Sequence, residues 1–185
     1  MPEGGIAMPK CLPGVRSLII ETARKQVLSG GYDAMTLRSV AAECKISTGT
    51  IYNYFESKDA LVATFMTEEW LDILTYVSET CIHAVSAREA IQCIYESLSS
   101  FIFRYSCVIQ GFPAANYELL SPNQYHDRLR EQLSRLLESV IDRFSRFDNP
   151  FLCAFLSDAI IFETQRHCPF SAFYGVIHVY FEEND

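Results

Sequence analysis

Residues 36 to 58, TLRSVAAECKISTGTIYNYFESK, constrain the fold more than any other stretch of this chain. They read as two short helices joined by a tight turn. Thr36 is placed to cap the first, its hydroxyl accepting from an orphan backbone N–H. Leu37, Val40, Ala41 and Cys44 then recur at helical spacing and define one apolar face. Ala41 is small enough for a second helix to approach closely. Lys45-Ile46 is the turn, with Ile46 directed at the core between the helices. Ser47 is the next N-cap. From it, Ile51 and Phe55 (i, i+4) point inward, which leaves Thr48, Gly49, Thr50, Tyr52, Asn53 and Tyr54 on other faces. Ser57 caps a third helix and puts Lys58 in its first turn. A lysine there opposes the helix dipole at a cost of ~0.3–1 kcal/mol. That placement makes sense where the cation meets a phosphate, which a helix N-terminus also attracts.

The second helix is rich in hydroxyls and phenols and nearly free of charge, a poor solvent face. It suits a groove, where hydroxyl, amide and phenol groups meet phosphates and base edges. The order of elements matches a helix-turn-helix module, whose second helix enters the major groove of DNA. A helical hairpin buried in an all-α core, with no DNA involved, has the same local pattern.

Residues 16 to 62 resemble the DNA-binding domain of the TetR family of transcriptional regulators. The resemblance is carried by Ile19 and Ala23, then Gly31-Tyr32-Asp33-Ala34-Met35-Thr36 and Leu37-Arg38-Ser39-Val40-Ala41. It continues through Ser47-Thr48-Gly49-Thr50-Ile51-Tyr52-Asn53-Tyr54-Phe55 to Ser57-Lys58 and Leu61. It implies an all-α homodimer: an N-terminal three-helix DNA-binding head (13–60) that reads a palindromic operator of double-stranded DNA, then a C-terminal helical bundle (61–185) for effector binding and dimerisation. Residues 1–12 are expected as a loose tail. Carried over by position, Thr36 and Lys58 contact phosphates, and Tyr52 and Tyr54 lie against the backbone, with Tyr54 in reach of a base. Arg38, Thr48, Gly49, Thr50 and Asn53 are the candidates for base contact, and the cap Ser47 completes the set. Arg38 can bond guanine bidentately and so carry sequence discrimination. Lys45 departs from the family, which has glycine in this turn. A left-handed lysine costs roughly 1–2 kcal/mol, so the turn is expected to be shifted or strained.

The chain carries a formal charge of −8, the wrong sign for a DNA binder, unless its distribution is considered. Residues 1–58 hold seven Lys and Arg against five Asp and Glu, a net +2, which leaves −10 for the remainder, and no lysine follows Lys58. The basic share is confined to the segment expected to face phosphates. Its 49% hydrophobic content is ample for a core. No run of about 18 apolar residues occurs, so no membrane partner is expected. MPEGGIAMPK lacks the apolar centre of a signal peptide, and a cytoplasmic location is expected. Seven cysteines (11, 44, 81, 93, 107, 153, 168) form no CxxC pair and no Cys/His cluster with metal spacing, so neither a metal nor another cofactor is expected. Most sit among apolar residues, where a free cysteine behaves as a small hydrophobe. Cys11 and Cys168 are the ones expected to be exposed and reactive.

Beyond Leu61 and Phe65, Trp70, Ile73, Leu74, Val77 and Cys81 continue an amphipathic helix. Ile91 to Tyr105 and Leu129 to Phe144 carry further helical stripes. Gly111-Phe112-Pro113 is a break, followed by a short helix to Leu120. A helix follows Asp148-Asn149-Pro150, and a last one runs from Phe170 to Phe181. These last two are apolar on more than one face, which a monomer would leave as a large exposed patch. A two-fold dimer interface through Phe151, Phe155, Ala159, Phe162, Phe173, Ile177 and Phe181 covers it, as the family resemblance also implies. Burial of both helices inside the monomer is the alternative.

By the same resemblance, the central helices enclose a small apolar or aromatic effector. Trp70, Tyr95, Phe101, Phe112 and Tyr117 are candidates for its walls, and Arg104, Asn116 and His126 for its orientation. The effector must bind the DNA-incompetent arrangement more tightly, or it shifts nothing. No Gly-rich phosphate loop, GxSxG, HExxH or paired-carboxylate signature occurs, so no enzyme is expected. The competing reading is a helical small-molecule-binding or thiol redox-sensing protein without strong operator specificity.

Overall fold

The computed structural model describes residues 14–106, 108, 122–147, 149 and 151–181. Among them the chain is all-α, with eight α-helices and no strand: α1 (Val15–Gly30), α2 (Leu37–Glu43), α3 (Thr48–Tyr52), α4 (Lys58–His83), α5 (Ala87–Arg104), α6 (Pro122–Phe144), α7 (Leu152–Gln165) and α8 (Phe170–Ile177). They divide into two compact units, with the boundary between Glu68 and Glu69, inside α4.

The first unit is built on α1. Its apolar residues Ile19, Ala23 and Val27 are buried with Met35, Val40, Ala41, Ile51, Phe55, Leu61 and Phe65. Helix α1 stops at Gly31, whose φ of 85° only glycine adopts without strain. The Gly31 N–H closes the helix on the Val27 carbonyl at 2.9 Å. Helix α2 opens with a capping box: Thr36 Oγ1 accepts from Ser39 N–H at 3.0 Å, and Ser39 Oγ accepts from Thr36 N–H at 3.1 Å.

The turn after α2 is a complete Schellman motif with Lys45 in the left-handed position, φ 57°. Lys45 N–H bonds Ala42 O at 3.2 Å and Ile46 N–H bonds Ala41 O at 3.0 Å. The family's usual glycine geometry is therefore kept by a lysine, and the turn is not shifted. Ile46 is half-buried. Ser47 caps α3, accepting from Thr50 N–H at 3.1 Å, and Ser57 caps α4, accepting from Ala60 N–H at 3.0 Å.

The second unit packs α7 against α6 and α5, and α8 against α5. Its core holds Ile91, Ile94, Tyr95, Leu98, Phe101, Tyr105, Leu133, Leu137, Val140, Leu156 and Ile160. The C-terminus of α4 is closed by Arg143 of α6, whose guanidinium donates to the carbonyls of Cys81 (2.9 Å), Ile82 (3.0 Å) and Ala84 (2.8 Å). A cation there satisfies orphan carbonyls and complements the helix dipole.

The chain end differs from the sequence expectation. Helix α8 stops at Ile177, a single 3₁₀ turn spans His178–Tyr180, and Phe181 pairs with Ser145 in an isolated antiparallel bridge. The bridge ties the chain end to the end of α6, and Phe181 is fully buried beneath it. The break at Gly111-Phe112-Pro113 and the short helix after it lie outside the described residues, as does the 1–12 tail. No helix of the described residues is long and apolar enough to cross a membrane.

Candidate nucleic-acid interface

The polar groups expected to meet DNA stand at the starts of α2 and α4 and along α3, and none of them is buried. Thr36 is exposed. Its oxygen is taken by the capping box, but its hydroxyl proton is not, so it remains a donor for a phosphate. Arg38, in the first turn of α2, is exposed. Helix α2 is tied down behind these two residues by Gln26 of α1. The Gln26 carbonyl accepts from Ser39 Oγ at 2.7 Å, and its amide donates to Glu43 Oε2 at 2.7 Å. That bond, together with Lys25, holds the Glu43 carboxyl below its ordinary range.

On α3, Ser47 and Thr50 share a hydroxyl–hydroxyl bond of 2.8 Å. Thr48 and Thr50 are half-exposed, while Gly49, Tyr52 and Asn53 are exposed and Tyr54 is half-buried. A methyl added at Gly49 would meet nothing nearer than Ser47 Oγ, at 3.7 Å. The head's own packing does not demand glycine there, although glycine inside a helix costs about 1 kcal/mol relative to alanine.

Lys58 is half-buried, with its ammonium 3.9 Å above the centre of the Tyr32 ring. Burial pushes its pKa down, and the carboxylates of Asp33 and Asp59 oppose that shift. The Tyr32 hydroxyl in turn donates to Asp59. Burial first, then this bond and the two nearby carboxylates, push the phenol well above its usual range. Sequence reasoning did not assign these roles to Tyr32, Asp59 and Gln26. Tyr32 stood inside the Gly31–Thr36 match, but its partners are set by the packing of α1 and α4, which spacing alone does not reveal.

In the second unit, the side chains expected around an effector have other neighbours. Trp70 and Phe101 are buried ring against ring with centroids 5.3 Å apart, and Phe101 meets Tyr105 at 5.0 Å. The Trp70 indole N–H donates to Gln132 at 2.8 Å. Tyr95 is stacked on Phe173 at 4.9 Å, and its hydroxyl donates to Cys168 O at 2.6 Å. Arg104 pairs with Glu69, which also accepts from the Tyr105 hydroxyl. Phe112, Asn116 and Tyr117 lie outside the described residues, and His126 falls within α6.

Two open grooves occur elsewhere in this unit. One of about 380 Å³ lies between α4 and α5 at Tyr76, Gln92 and Cys93. The other, of about 520 Å³, lies along α7 at Arg130, Phe155, Ala159 and Phe162. Trp70, Tyr95, Phe101 and Arg104 line neither.

Of the residues expected at a dimer interface, Phe151, Phe155 and Phe162 of the α7 region are exposed and Ala159 is half-exposed. Phe173, Ile177 and Phe181 correct the expectation: they point into the protomer's own core. The α8 register turns Phe173 and Ile177 inward, with Phe173 on Tyr95 of α5, the bridge to Ser145 holds Phe181, and Val176 and Val179 are left outside. Cys44 and Cys81 are buried, while Cys93, Cys153 and Cys168 are half-buried and all five are free thiols. Cys168, expected to be exposed, is thus half-buried, and Cys11 and Cys107 lie outside the described residues. Among the described residues, no group of three or more His, Cys, Asp or Glu is placed to hold a metal.

A capped helix pair joined by a Schellman turn, carrying an exposed polar second helix, followed by an all-helical unit, defines a helix-turn-helix protein. Residues 19–64 match the family model described as bacterial regulatory proteins, tetR family. Residues 19–64 thus carry the DNA-binding segment of that family. It is 47% identical over 49 residues to the HTH-type transcriptional regulator YuxN of Bacillus subtilis (strain 168), a match covering 26% of this chain and 17% of YuxN. It is 26% identical over 133 residues to the HTH-type transcriptional repressor DhaR of Mycobacterium sp. (strain GP1), covering 71% of this chain and 64% of DhaR. The matches thus span less than two thirds of these curated relatives. Its fold is similar to that of a TetR-family regulator from Pectobacterium atrosepticum, with a TM-score of 0.69 and 14% identity over 92% of this chain and 95% of that one.

Proposed function

We propose that this protein is a sequence-specific DNA-binding regulator, a repressor that acts as a homodimer on a palindromic operator and is released by a small effector. The observation that carries the reading is the head. Its caps and its Schellman turn fix α2 and α3, while Thr36, Arg38, Gly49, Tyr52 and Asn53 stay open to a ligand. Thr36, Tyr52, Tyr54 and Lys58 position the protein on phosphates, and Arg38, Thr48, Thr50 and Asn53 read base edges. The family match over residues 19–64 and the repressor named among its relatives support the same reading.

Dimerisation runs through the α7 face, where Phe151, Phe155 and Phe162 are exposed beside a groove that also offers Arg130 and Asp158. A homodimer offers two recognition helices to successive major grooves, which repeat about every 34–36 Å. The effector, apolar or aromatic, binds in the second unit near the Trp70–Phe101–Tyr105 rings and the Arg104–Glu69 pair.

The test is binding of the purified protein to DNA from around its own gene, titrated with salt and competed with unrelated DNA. Tight, salt-sensitive binding that survives competition is expected, and Tyr52→Ala weakens it while the dimer persists. Binding indifferent to sequence, with the dimer confirmed, overturns the reading in favour of a ligand-binding protein.

A further inference from the structure

Lys45 holds the left-handed position of the turn between α2 and α3, with φ 57°, and it is exposed. The turn uses only backbone there: the N–H groups of Lys45 and Ile46 bond the carbonyls of Ala42 and Ala41. Glycine would make both bonds without strain, so the fold itself gives no reason for a side chain. Strain kept at a residue whose side chain the backbone does not need points to a role for that side chain. A cation beyond the end of α2 also complements that helix dipole, but α2 has only seven residues and the exposed charge is screened by salt.

Among the described residues, the Lys45 ammonium has no ion pair or hydrogen bond. Glu43, the acid nearest to it in the chain, is turned to α1, where Gln26 donates to it at 2.7 Å and Lys25 stands 3.4 Å away. Three other cations of the first unit are engaged: Arg16 pairs with Glu68, Lys25 with Glu43, and Lys58 lies over the Tyr32 ring. Lys45 stands two residues before Ser47, the cap of α3. In a helix-turn-helix the first helix crosses the DNA backbone and the N-terminal residues of the second meet base edges in the major groove. The turn that joins them is therefore at the edge of the groove, where the phosphates run, and lysine carries its charge there on a long flexible stem.

We infer that Lys45 is a phosphate-binding residue, which reaches from the turn to a backbone phosphate at the edge of the groove that α3 enters. The inference rests on the reading that α3 enters that groove. Lys45 precedes α3 in the chain and Lys58 follows it, so the recognition helix has a cation on either side.

The experiment measures the salt dependence of affinity for a duplex that the wild-type protein selects from a random-sequence library. Each phosphate neutralised contributes a slope of about 0.9 in log K against log salt, or about 3.5-fold in affinity between 50 and 200 mM. Lys45→Gln keeps the left-handed Cβ and removes the charge, whereas Lys45→Gly removes both. Each is expected to lower the slope by about 0.9 per protomer, and Lys45→Arg is expected to keep the wild-type slope. A scan of the same duplex with single neutral methylphosphonates then locates the contact. At one phosphate of each half-site, neutralisation is expected to weaken wild type several-fold and to leave Lys45→Gln as it is on the unmodified duplex.

An effect of the turn's backbone would lower the slope of Lys45→Gly and spare Lys45→Gln. A charge acting only at long range would lower both slopes, with no methylphosphonate position that separates wild type from Lys45→Gln. Either result overturns the inference. If wild type selects no duplex, or Tyr52→Ala binds the selected duplex as tightly as wild type, the placement of α3 in the groove fails and the inference with it. If Tyr52→Ala weakens binding while Lys45→Gln keeps the wild-type slope, the inference fails alone.

Discussion

Replacing Lys45 with glycine should stabilise this protein, and the size of the gain follows from its turn. Lys45 has φ 57° and is exposed. The left-handed region costs a residue with a Cβ about 1–2 kcal/mol. Glycine removes that strain but adds about 0.5–1 kcal/mol of chain entropy to the unfolded state. The net gain is about 0.5–1 kcal/mol, which for a chain of this length raises the melting temperature by about 1–4 °C. Both Schellman hydrogen bonds are made by backbone groups and survive the change.

Thermal unfolding followed by helical circular dichroism measures the shift, with Lys45→Ala as the control. Alanine keeps the Cβ and removes the charge, so it should stay within about 0.5 kcal/mol of wild type. A second left-handed residue sharpens the test. His167 closes α7 with φ 57° and the same bond pattern, His167 N–H to Thr164 O at 3.1 Å and Cys168 N–H to Glu163 O at 3.0 Å. Its ring, however, stands edge-on to Phe103 at 6.5 Å. His167→Gly should therefore gain less than Lys45→Gly. A loss of stability in Lys45→Gly, or an equal gain in Lys45→Ala, would refute the strain argument.

Four further outcomes are expected. Gly49→Ala should raise stability by up to about 1 kcal/mol through helix propensity, since the added methyl meets only Ser47 Oγ at 3.7 Å; affinity for DNA from around its own gene should fall, because the proposed reading brings that face to DNA, and unchanged affinity would show the glycine to be idle there. Arg38→Ala should relax sequence preference more than Lys58→Ala, with equal losses on unrelated duplexes reassigning Arg38 to phosphate contact. Arg143→Met should cost about 1–3 kcal/mol in urea unfolding, because it strips a charged donor from three carbonyls that end α4; a change under 0.5 kcal/mol would mean, by the scale of ordinary surface substitutions, that water replaces it at about no cost. Burial pushes the Cys81 thiol from 9.0 up to about 11, so the folded state holds a proton that the unfolded state releases, and stability present below pH 9 is lost as pH rises towards 11; Cys81→Ala should flatten that alkaline decline in pH-dependent unfolding, and an unchanged decline would assign it elsewhere.

The head was legible in the sequence because its rules are local. A hydroxyl three residues ahead of an N–H makes a cap, and an i, i+4 apolar pair makes a face. Thr36, Ser47, Ser57, Ile51 and Phe55 all behave so. Even the left-handed Lys45 could be anticipated, although the intact geometry of its turn could not. The Tyr32–Asp59 and Gln26–Ser39 bonds were not legible, because they join residues 27 and 13 positions apart. Spacing rules reach one or two helical turns, and these partners meet through the packing of separate helices.

The last two helices mark the other limit. A helix apolar on several faces does not say which face turns inward, because burial in the protomer and burial against a second copy remove the same apolar area. On α7 the polar partners decide. Ser157 is fully buried and its hydroxyl lies 3.0 Å from that of Ser134 on α6, so this face packs inward, and Phe151, Phe155 and Phe162 are left outside. At the chain end the deciding contact is the backbone bridge from Phe181 to Ser145, with Arg146 N–H on Tyr180 O at 3.0 Å. Once the backbone is held there, Phe181 closes over the protomer core, and Val176 and Val179 are left outside. Which faces stay exposed was thus fixed by one serine pair on α7 and one bridge at Phe181, neither of which carries a signal in hydrophobic periodicity.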